Sequence, residues 1–131
     1  MAPSIFSRII AGEIPCEKIL EDDRFFAFLD IRPIAPGHTL VVPKAQVDKL
    51  YELGEADLSA MLPFAARISR ALERTIPCKR VGMIVAGFEV PHAHLHLVPI
   101  SSEGQLSFEH ANAASREELA DVGAKVRKAL A

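Results

Sequence analysis

The chain has 131 residues, half of them hydrophobic, which is the size of one ordinary domain able to bury its own core. Its 15 Lys and Arg side chains nearly balance 17 Asp and Glu, so no basic surplus points to nucleic acid or an anionic membrane as a partner. The sequence has neither a signal-peptide pattern nor an apolar run of the roughly 20 residues that span a membrane. We therefore predict one cytoplasmic domain over residues 1–131, with Cys16 and Cys78 as free thiols.

The first half of the chain predicts a short helix and three strands. Ile5, Phe6 and Ile9 share one side of the helix by their spacing of three and four residues. The strand segments are rich in β-branched and aromatic residues, and a short acidic turn separates the first two, which predicts a hairpin. The predicted elements are a helix at residues 5–10 and strands at residues 18–21, 25–30 and 39–42.

The second half predicts a long helix, two more strands and a terminal helix. Pro63 falls inside the long helix, so either the helix kinks there or Pro63 lies in its first turn. Ser115 and Glu118 fit a capping box, in which each side chain binds a free amide at the helix start. The predicted elements are helices at residues 56–76 and about 115–130, and strands at residues 81–86 and 93–98. This order favours an α+β fold, an antiparallel sheet of about five strands with one long helix and short terminal helices.

Three of the five histidines, His92, His94 and His96, lie within five residues. Side chains alternate between the faces of a strand, so the three imidazoles would share one face, roughly 6.6 Å apart, with Ala93 and Leu95 facing the core. An imidazole titrates near neutral pH and can attack phosphorus or bind a phosphate, which favours phosphoryl or nucleotidyl transfer. Zn²⁺ also prefers imidazole ligands, and histidines on a half-exposed strand can simply face water. The spacing alone does not separate catalysis from metal binding.

Further segments accompany the histidines in a fixed order along the chain. The segments read SIFSRIIAGEIP (residues 4–15), FLDIRP (28–33), APGHTLVVPK (35–44) and HAHLHLV (92–98). In order and spacing they resemble the histidine triad (HIT) family, and its Hint-like bacterial branch in particular. The resemblance covers residues 4–100 and implies a HIT-like fold and a nucleotide-binding hydrolase or transferase.

The resemblance implies a role for each of four histidines. His94 would be the nucleophile, which forms a covalent nucleotidyl-histidine intermediate at the α-phosphorus. His92 and His96 would contact phosphate and orient the nucleophile, and His38 would lie near the site. A nucleophilic imidazole also needs an acceptor for its second nitrogen, so that the attacking nitrogen carries no proton. The resemblance implies no metal and no other cofactor at the nucleophile.

The resemblance also implies a binding site for the nucleoside. Asp30 would hold the ribose hydroxyls, which are good hydrogen-bond donors to a carboxylate. The same carboxylate could instead serve a turn or a helix cap before Pro33, and each apolar candidate could simply belong to the core. The residues implied to form an apolar slot for the base are Phe6, Ile9, Phe28 and Ile31.

Two departures from the family pattern bear on the site. Many bacterial relatives bind zinc through two cysteines and a histidine, where this chain has Ser4, Ser7 and Gln46, so we predict no structural zinc. Before the triad, Ala86 and Glu89 stand where the family has a polar amide and a Ser or Thr that bind phosphate or assist the leaving group. Glu89 is therefore a further candidate catalytic residue, which could accept a proton, pair with a triad imidazolium or favour a cationic amine leaving group.

The expected reaction is hydrolysis or transfer at the α-phosphorus of nucleoside 5′-monophosphate derivatives, with a purine nucleotide as the substrate. Phosphoramidates, aminoacyl adenylates and dinucleoside polyphosphates are the candidate substrates. The resemblance also implies a homodimer, formed through the long helix and the strand at residues 81–86. Two rival interpretations stay open: a nucleotide-binding regulatory or partner protein with weak or no catalysis, and a three-histidine metal enzyme.

Overall fold

A computed structural model describes residues 2–131, and its strands form one antiparallel sheet in the order β1-β2-β3-β5-β4. The strands are β1 (Lys18–Glu21), β2 (Phe25–Leu29), β3 (Thr39–Pro43), β4 (Arg80–Ile84) and β5 (Leu95–Ile100). The α-helices are α1 (Ile5–Ile10), α2 (Glu55–Thr75) and α3 (Arg116–Leu130). These elements confirm the predicted α+β fold with a five-stranded antiparallel sheet.

The main core lies between the sheet and α2. Ala27, Val41 and Leu97 are fully buried on this face of β2, β3 and β5, since alternate residues of each strand point toward the helix. Ile68 and Leu72 of α2 pack on the same core, and α3 contacts both α2 and β1. Burial of each large apolar side chain contributes roughly 1.5–3 kcal/mol, which holds the sheet firmly against the long helix.

The opposite face of the sheet carries α1. Phe6 and Ile9 of this short helix pack on a second apolar cluster formed by the remaining alternate residues of β2 and β3. The strand residues of this cluster are Phe26, Phe28, Leu40 and Val42. Because helices cover both faces, every residue of β2, β3 and β5 is buried. On the face of β5 that points away from α2, Val98 and Ile100 pack instead in a third apolar cluster with Ile34.

The last two strands differ from their predicted bounds. β5 begins at Leu95, because the amides of His92 and Ala93 donate to the carbonyls of Val90 and Val47 instead of to a neighbouring strand. At its other end β5 includes Pro99, which pairs with Val81 of β4. β3 pairs only with the first half of β5, so the ring of Pro99 breaks no hydrogen bond on that side. β4 is shorter than predicted and ends at Ile84.

The two longer helices confirm the predicted long and terminal helices. α2 continues through Pro63, whose side chain is exposed and which lies well beyond the first turn, so the alternative of a first-turn proline is wrong. Ser115 caps α3, since its Oγ accepts a hydrogen bond from the Glu118 amide at 3.1 Å.

Two further findings concern residues 2–131 as a whole. In this part of the chain, no helix is both long enough and apolar enough to cross a bilayer. Cys16 and Cys78 are free thiols, as predicted, and burial raises the pKa of both.

Candidate active site

The three clustered histidines lie together on the α1 side of the sheet. His96 is in β5 between Leu95 and Leu97, which both point into the core under α2. His92 and His94 precede the strand, yet they extend the same row: the rings of His94 and His96 have centroids 4.9 Å apart. All three side chains are at most 6% exposed. The three rings therefore lie on one side of the sheet, as predicted, but they are buried in the protein rather than exposed on its surface.

His92 is held by a hydrogen bond at each ring nitrogen. Its Nε2 lies 2.7 Å from the carbonyl oxygen of Pro43, and its Nδ1 lies 2.6 Å from Oγ of Ser4. A carbonyl can only accept, so we assign the proton to Nε2, and Nδ1 then accepts from the Ser4 hydroxyl. Burial lowers the pKa of His92, although the Pro43 carbonyl opposes this shift. The ring is therefore neutral at physiological pH.

His94 is oriented by the backbone of His92. Its Nδ1 lies 2.8 Å from the carbonyl oxygen of His92 and must donate to it. In the neutral ring the lone pair then lies on Nε2, for which the described residues provide no hydrogen-bond partner. Phe6 packs edge-on against the same ring with centroids 5.0 Å apart. His94 thus meets the requirement for a nucleophile, an unprotonated nitrogen on a ring whose other nitrogen is held by an acceptor.

His38 and His96 are joined by a second set of hydrogen bonds in the site. The amide of Ile34 donates to His38 Nδ1 at 3.0 Å, so we assign the proton of His38 to Nε2. That nitrogen lies 2.9 Å from Nδ1 of His96, which accepts the hydrogen bond. The proton of His96 is then on its Nε2, where it can serve as a donor.

Burial keeps this histidine pair neutral in the free protein. It lowers the pKa of His96 to about 3, with the neighbouring rings of His94 and His38 adding to the shift. Burial also lowers the pKa of His38, against the opposing effect of Asp30, whose Oδ2 lies 3.6 Å from His38 Nε2. A neutral His96 offers one N–H donor for a phosphate oxygen or a leaving group.

The implied nucleoside residues separate into two groups. Phe6, Ile9 and Phe28 belong to the apolar cluster beside the histidines, with the rings of Phe6 and Phe28 centred 5.6 Å apart. Ile31 instead is 69% exposed and lies outside this cluster. Asp30 is partly exposed, and its Oδ1 accepts from the Arg32 amide, which leaves Oδ2 facing His38.

Glu89 is not brought to the histidines. It is exposed in the bend that follows β4, and among the described residues its side chain forms neither a hydrogen bond nor an ion pair. A cavity of about 470 Å³ opens beside His94 next to this bend. Its lining includes His94, Phe88, Ala86 and Tyr51, but it does not include Glu89.

Sequence reasoning missed two contacts of the site. The ring of Phe108, half exposed in the 3₁₀ turn Phe108–His110, lies edge-on to His96 with centroids 5.0 Å apart. No local pattern reveals that contact, because it depends on how the chain returns after β5. The hydrogen bond from Ser4 to His92 was also missed, although a serine directly before an apolar helix is a typical N-cap and could have drawn attention to this residue.

One set of donors in the site has the spacing needed for a metal ion. Oxygen or nitrogen atoms of Asp30, His38 and His96 lie within 4.8 Å of one another. However, His38 Nδ1 accepts from the Ile34 amide, and the facing nitrogens of the two rings already satisfy each other. A metal ion would have to break that hydrogen bond, so the arrangement favours a histidine network over a metal centre.

This geometry, a row of buried imidazoles in which Nε2 of His94 has no hydrogen-bond partner among the described residues, accompanies a fold that known proteins share. The HIT domain model matches residues 11–103, and the chain belongs to the HIT family. Among its relatives, adenosine 5′-monophosphoramidase hnt1 of Schizosaccharomyces pombe is 37% identical over 101 residues, which cover 76% of this chain and 75% of the relative. Protein hit of Bacillus subtilis is 32% identical over 138 residues, covering 97% and 94% of the two chains.

Solved structures agree with the family assignment. A Hit-like protein from Bartonella henselae superposes with a TM-score of 0.85 at 28% identity, and the alignment covers 96% of this chain and 95% of that protein. The likeness extends beyond the residues that the domain model matches, to most of the chain including the C-terminal part. The HIT fold therefore accounts for 96% of this chain.

Proposed function

We propose that this protein hydrolyses or transfers nucleoside 5′-monophosphate derivatives through attack of His94 on the α-phosphorus. The observation that carries the proposal is the hydrogen bond from His94 Nδ1 to the His92 carbonyl. Because the proton is on Nδ1, Nε2 of the neutral ring keeps its lone pair, and the ring lines an open cavity. The names of relatives such as the S. pombe phosphoramidase support a phosphorus–nitrogen bond as the one that breaks.

The proposed reaction has two steps. In the first, His94 Nε2 forms a bond to phosphorus while the bond from phosphorus to the leaving group breaks, and the leaving amine takes up a proton from solvent water. The resulting ring is positive, and the His92 carbonyl that accepts from Nδ1 stabilises this charge. In the second step water attacks phosphorus and loses a proton to solvent, while the bond from phosphorus to Nε2 breaks and its electron pair returns to the ring. The nucleoside monophosphate is released, and His94 is neutral again. The Nε2–H of His96 donates to a phosphate oxygen in both steps.

The nucleoside would lie on the α1 side of the row of histidines. We propose that Asp30 accepts hydrogen bonds from the ribose hydroxyls through its partly exposed carboxylate. The apolar cluster that contains Phe6, Ile9 and Phe28 would provide one wall for a purine, and exposed Ile31 would cover it from outside. Burying Ile31 against a base would remove apolar area from water, which favours binding.

A homodimer through α2 and β4 is part of the proposal. β4 forms one edge of the sheet, so its unpaired backbone groups could pair with a second copy. Leu62 of α2 is 59% exposed and Met83 of β4 is 43% exposed, so both elements have apolar area that a second copy could cover. Replacing Leu62 by Asp should shift the protein to a monomer in analytical ultracentrifugation; a wild-type monomer would contradict this part of the proposal.

The alternative function is that of a nucleotide-binding regulatory or partner protein with weak or no catalysis. The isolation of Glu89 from the histidines favours this alternative, because the bend before the triad then adds no polar group to assist a leaving group. A cytoplasmic location is proposed for either function.

Trapping of the intermediate tests the proposal. The protein is incubated with a radiolabelled adenosine phosphoramidate, quenched, and digested for mass spectrometry. We expect adenylation on His94 and turnover that a chelator leaves unchanged, whereas His94→Ala should bind adenosine monophosphate without turnover. Equal binding and no turnover in both proteins would favour the regulatory alternative, and activity that zinc restores after chelation would favour a metal enzyme.

A further inference from the structure

Ser4 lies at the junction between the nucleoside side of the site and the row of histidines. It is the N-cap of α1, and its Oγ accepts from the Ser7 amide at 3.0 Å. The same oxygen lies 2.6 Å from Nδ1 of His92, a residue 88 positions later in the chain, and both side chains are buried. One hydroxyl therefore serves the helix and the histidine together.

The direction of the bond between Ser4 and His92 follows from its surroundings. Ser4 Oγ already accepts from the Ser7 amide, and His92 already donates from Nε2 to Pro43. The single hydroxyl proton of Ser4 has two possible acceptors, His92 Nδ1 at 2.6 Å and Ser7 Oγ at 3.4 Å. The shorter contact is the hydrogen bond, so Ser4 donates to His92.

The other polar groups around Ser4 leave its proton free for this bond. Ser7 Oγ donates to Oε1 of Gln46 at 2.7 Å, and the Ser4 amide donates to the same oxygen at 2.8 Å. Gln46 in turn donates from Nε2 to the Ala2 carbonyl at 2.9 Å. Each of these donors thus has an acceptor other than His92, and His92 Nδ1 is the acceptor that remains for the Ser4 hydroxyl.

We propose that Ser4 is a positioning residue for the nucleophile: its hydroxyl fixes the His92 ring, and the His92 carbonyl fixes His94. Without the Ser4 donor, a buried ring nitrogen would lose its only strong partner, and the His92 ring could rotate or exchange its proton between nitrogens. The carbonyl that accepts from His94 Nδ1 belongs to the same residue, so this change would reach the nucleophile. The expected loss of kcat rests on the proposed function, whereas the expected change in the His92 ring does not.

Four variants separate the donor role from the cap role. Ser4→Ala removes both roles, Ser4→Thr keeps both, and Ser4→Asp keeps an acceptor that caps α1 but offers no donor. Ser115→Ala is the matched control, because it removes the equivalent cap of α3 far from the histidines. We expect Ser4→Ala and Ser4→Asp to lower kcat about tenfold with KM changed less than about twofold, and the other two to match the wild type. Wild-type kcat in Ser4→Asp would overturn the proposal, since the cap alone would then be sufficient.

Nitrogen-15 NMR of the imidazole rings gives a readout that does not need turnover. In the wild type we expect His92 to be protonated at Nε2 and unprotonated at Nδ1, with the Nδ1 signal shifted in Ser4→Ala while His38 and His96 keep theirs. A wild-type His92 protonated at Nδ1 would overturn this inference and leave the proposed function untouched. If His92 gives the expected signals but the protein turns over no nucleotide substrate, the hydrogen bond is supported and only the proposed function is contradicted.

Discussion

The histidine row and the bend directly before it are built in opposite ways. His92, His94 and His96 are at most 6% exposed, and each ring makes a hydrogen bond to a backbone or side-chain group of the protein. Only a few residues earlier, Phe88 is 97% exposed and Glu89 is exposed as well. The cavity beside His94 lies between these two regions.

This contrast shows which half of the proposed reaction the fold prepares. The attacking nitrogen is oriented before any substrate arrives, because the hydrogen bonds that hold the histidines are internal to the protein. The leaving group instead would meet an exposed bend whose side chains have few fixed partners. We infer that the attack on phosphorus is common to all substrates of this chain, whereas the leaving group can vary.

The largest expected effect comes from removing the nucleophilic ring. His94→Gly should lower kcat for an adenosine phosphoramidate by at least about 10³-fold, since the covalent route is lost. Added imidazole should restore part of the activity by entering the space left behind, which steady-state assays at increasing imidazole concentration would measure. The matched control is His110→Gly, at an exposed histidine outside the row. Full activity of His94→Gly without imidazole would exclude this nucleophile.

A smaller effect is expected from the partner of His96. His38→Leu removes the donor to His96 Nδ1 and leaves a buried acceptor without a partner, so kcat should fall about tenfold to a hundredfold. His38→Gln can place an amide donor near the former Nε2 and should be closer to the wild type. Urea unfolding of both variants checks that they remain folded, and equal loss of kcat in the two would contradict a role for this hydrogen bond.

The buried histidines also predict how stability depends on pH. Unfolded histidines take up a proton near pH 6.5, whereas burial lowers the pKa of His92 and His38 and brings that of His96 to about 3. Between these pH values the unfolded chain binds more protons than the folded one, so the free energy of unfolding falls as the pH decreases. The urea midpoint should be lower at pH 5.5 than at pH 7.5. His96→Gln should reduce this dependence, and an unchanged dependence would show that His96 is not buried in its neutral form.

The sequence predicts the frame of this molecule well because local patterns determine it. The alternation of His96 with Leu95 and Leu97 predicts which side chains face the core, and the structure confirms it. The helix bounds and the order of strands follow from spacing, caps and turns in the same way. The bounds of β5 differ because its pairing depends on β3 and β4, which no local pattern in this segment reports.

The site is less predictable because long-range contacts fix its protons. The sequence brings His92, His94 and His96 together, but the tautomers of two of these rings depend on partners distant in the chain. Pro43 and Ser4 hold His92, and His38 holds His96. Phe108 contacts His96 only because of the path that the chain takes after β5. Such contacts depend on tertiary packing. Residue spacing could therefore suggest the chemistry of the site, but it could not predict the hydrogen-bond partners of the rings.

The smallest expected effect concerns the exposed bend. If Glu89 favours cationic leaving groups, as its charge suggests, Glu89→Gln should reduce the preference in kcat/KM for a cationic over a neutral amine leaving group by about twofold to threefold, because an exposed charge is screened by solvent and salt. The change should diminish at high salt and should leave the rate with the neutral leaving group unaltered. Glu109→Gln, an exposed glutamate in the 3₁₀ turn after β5, is the matched control. An unchanged preference at low salt would remove Glu89 from the site, and the leaving-group side would then depend on the cavity lining alone.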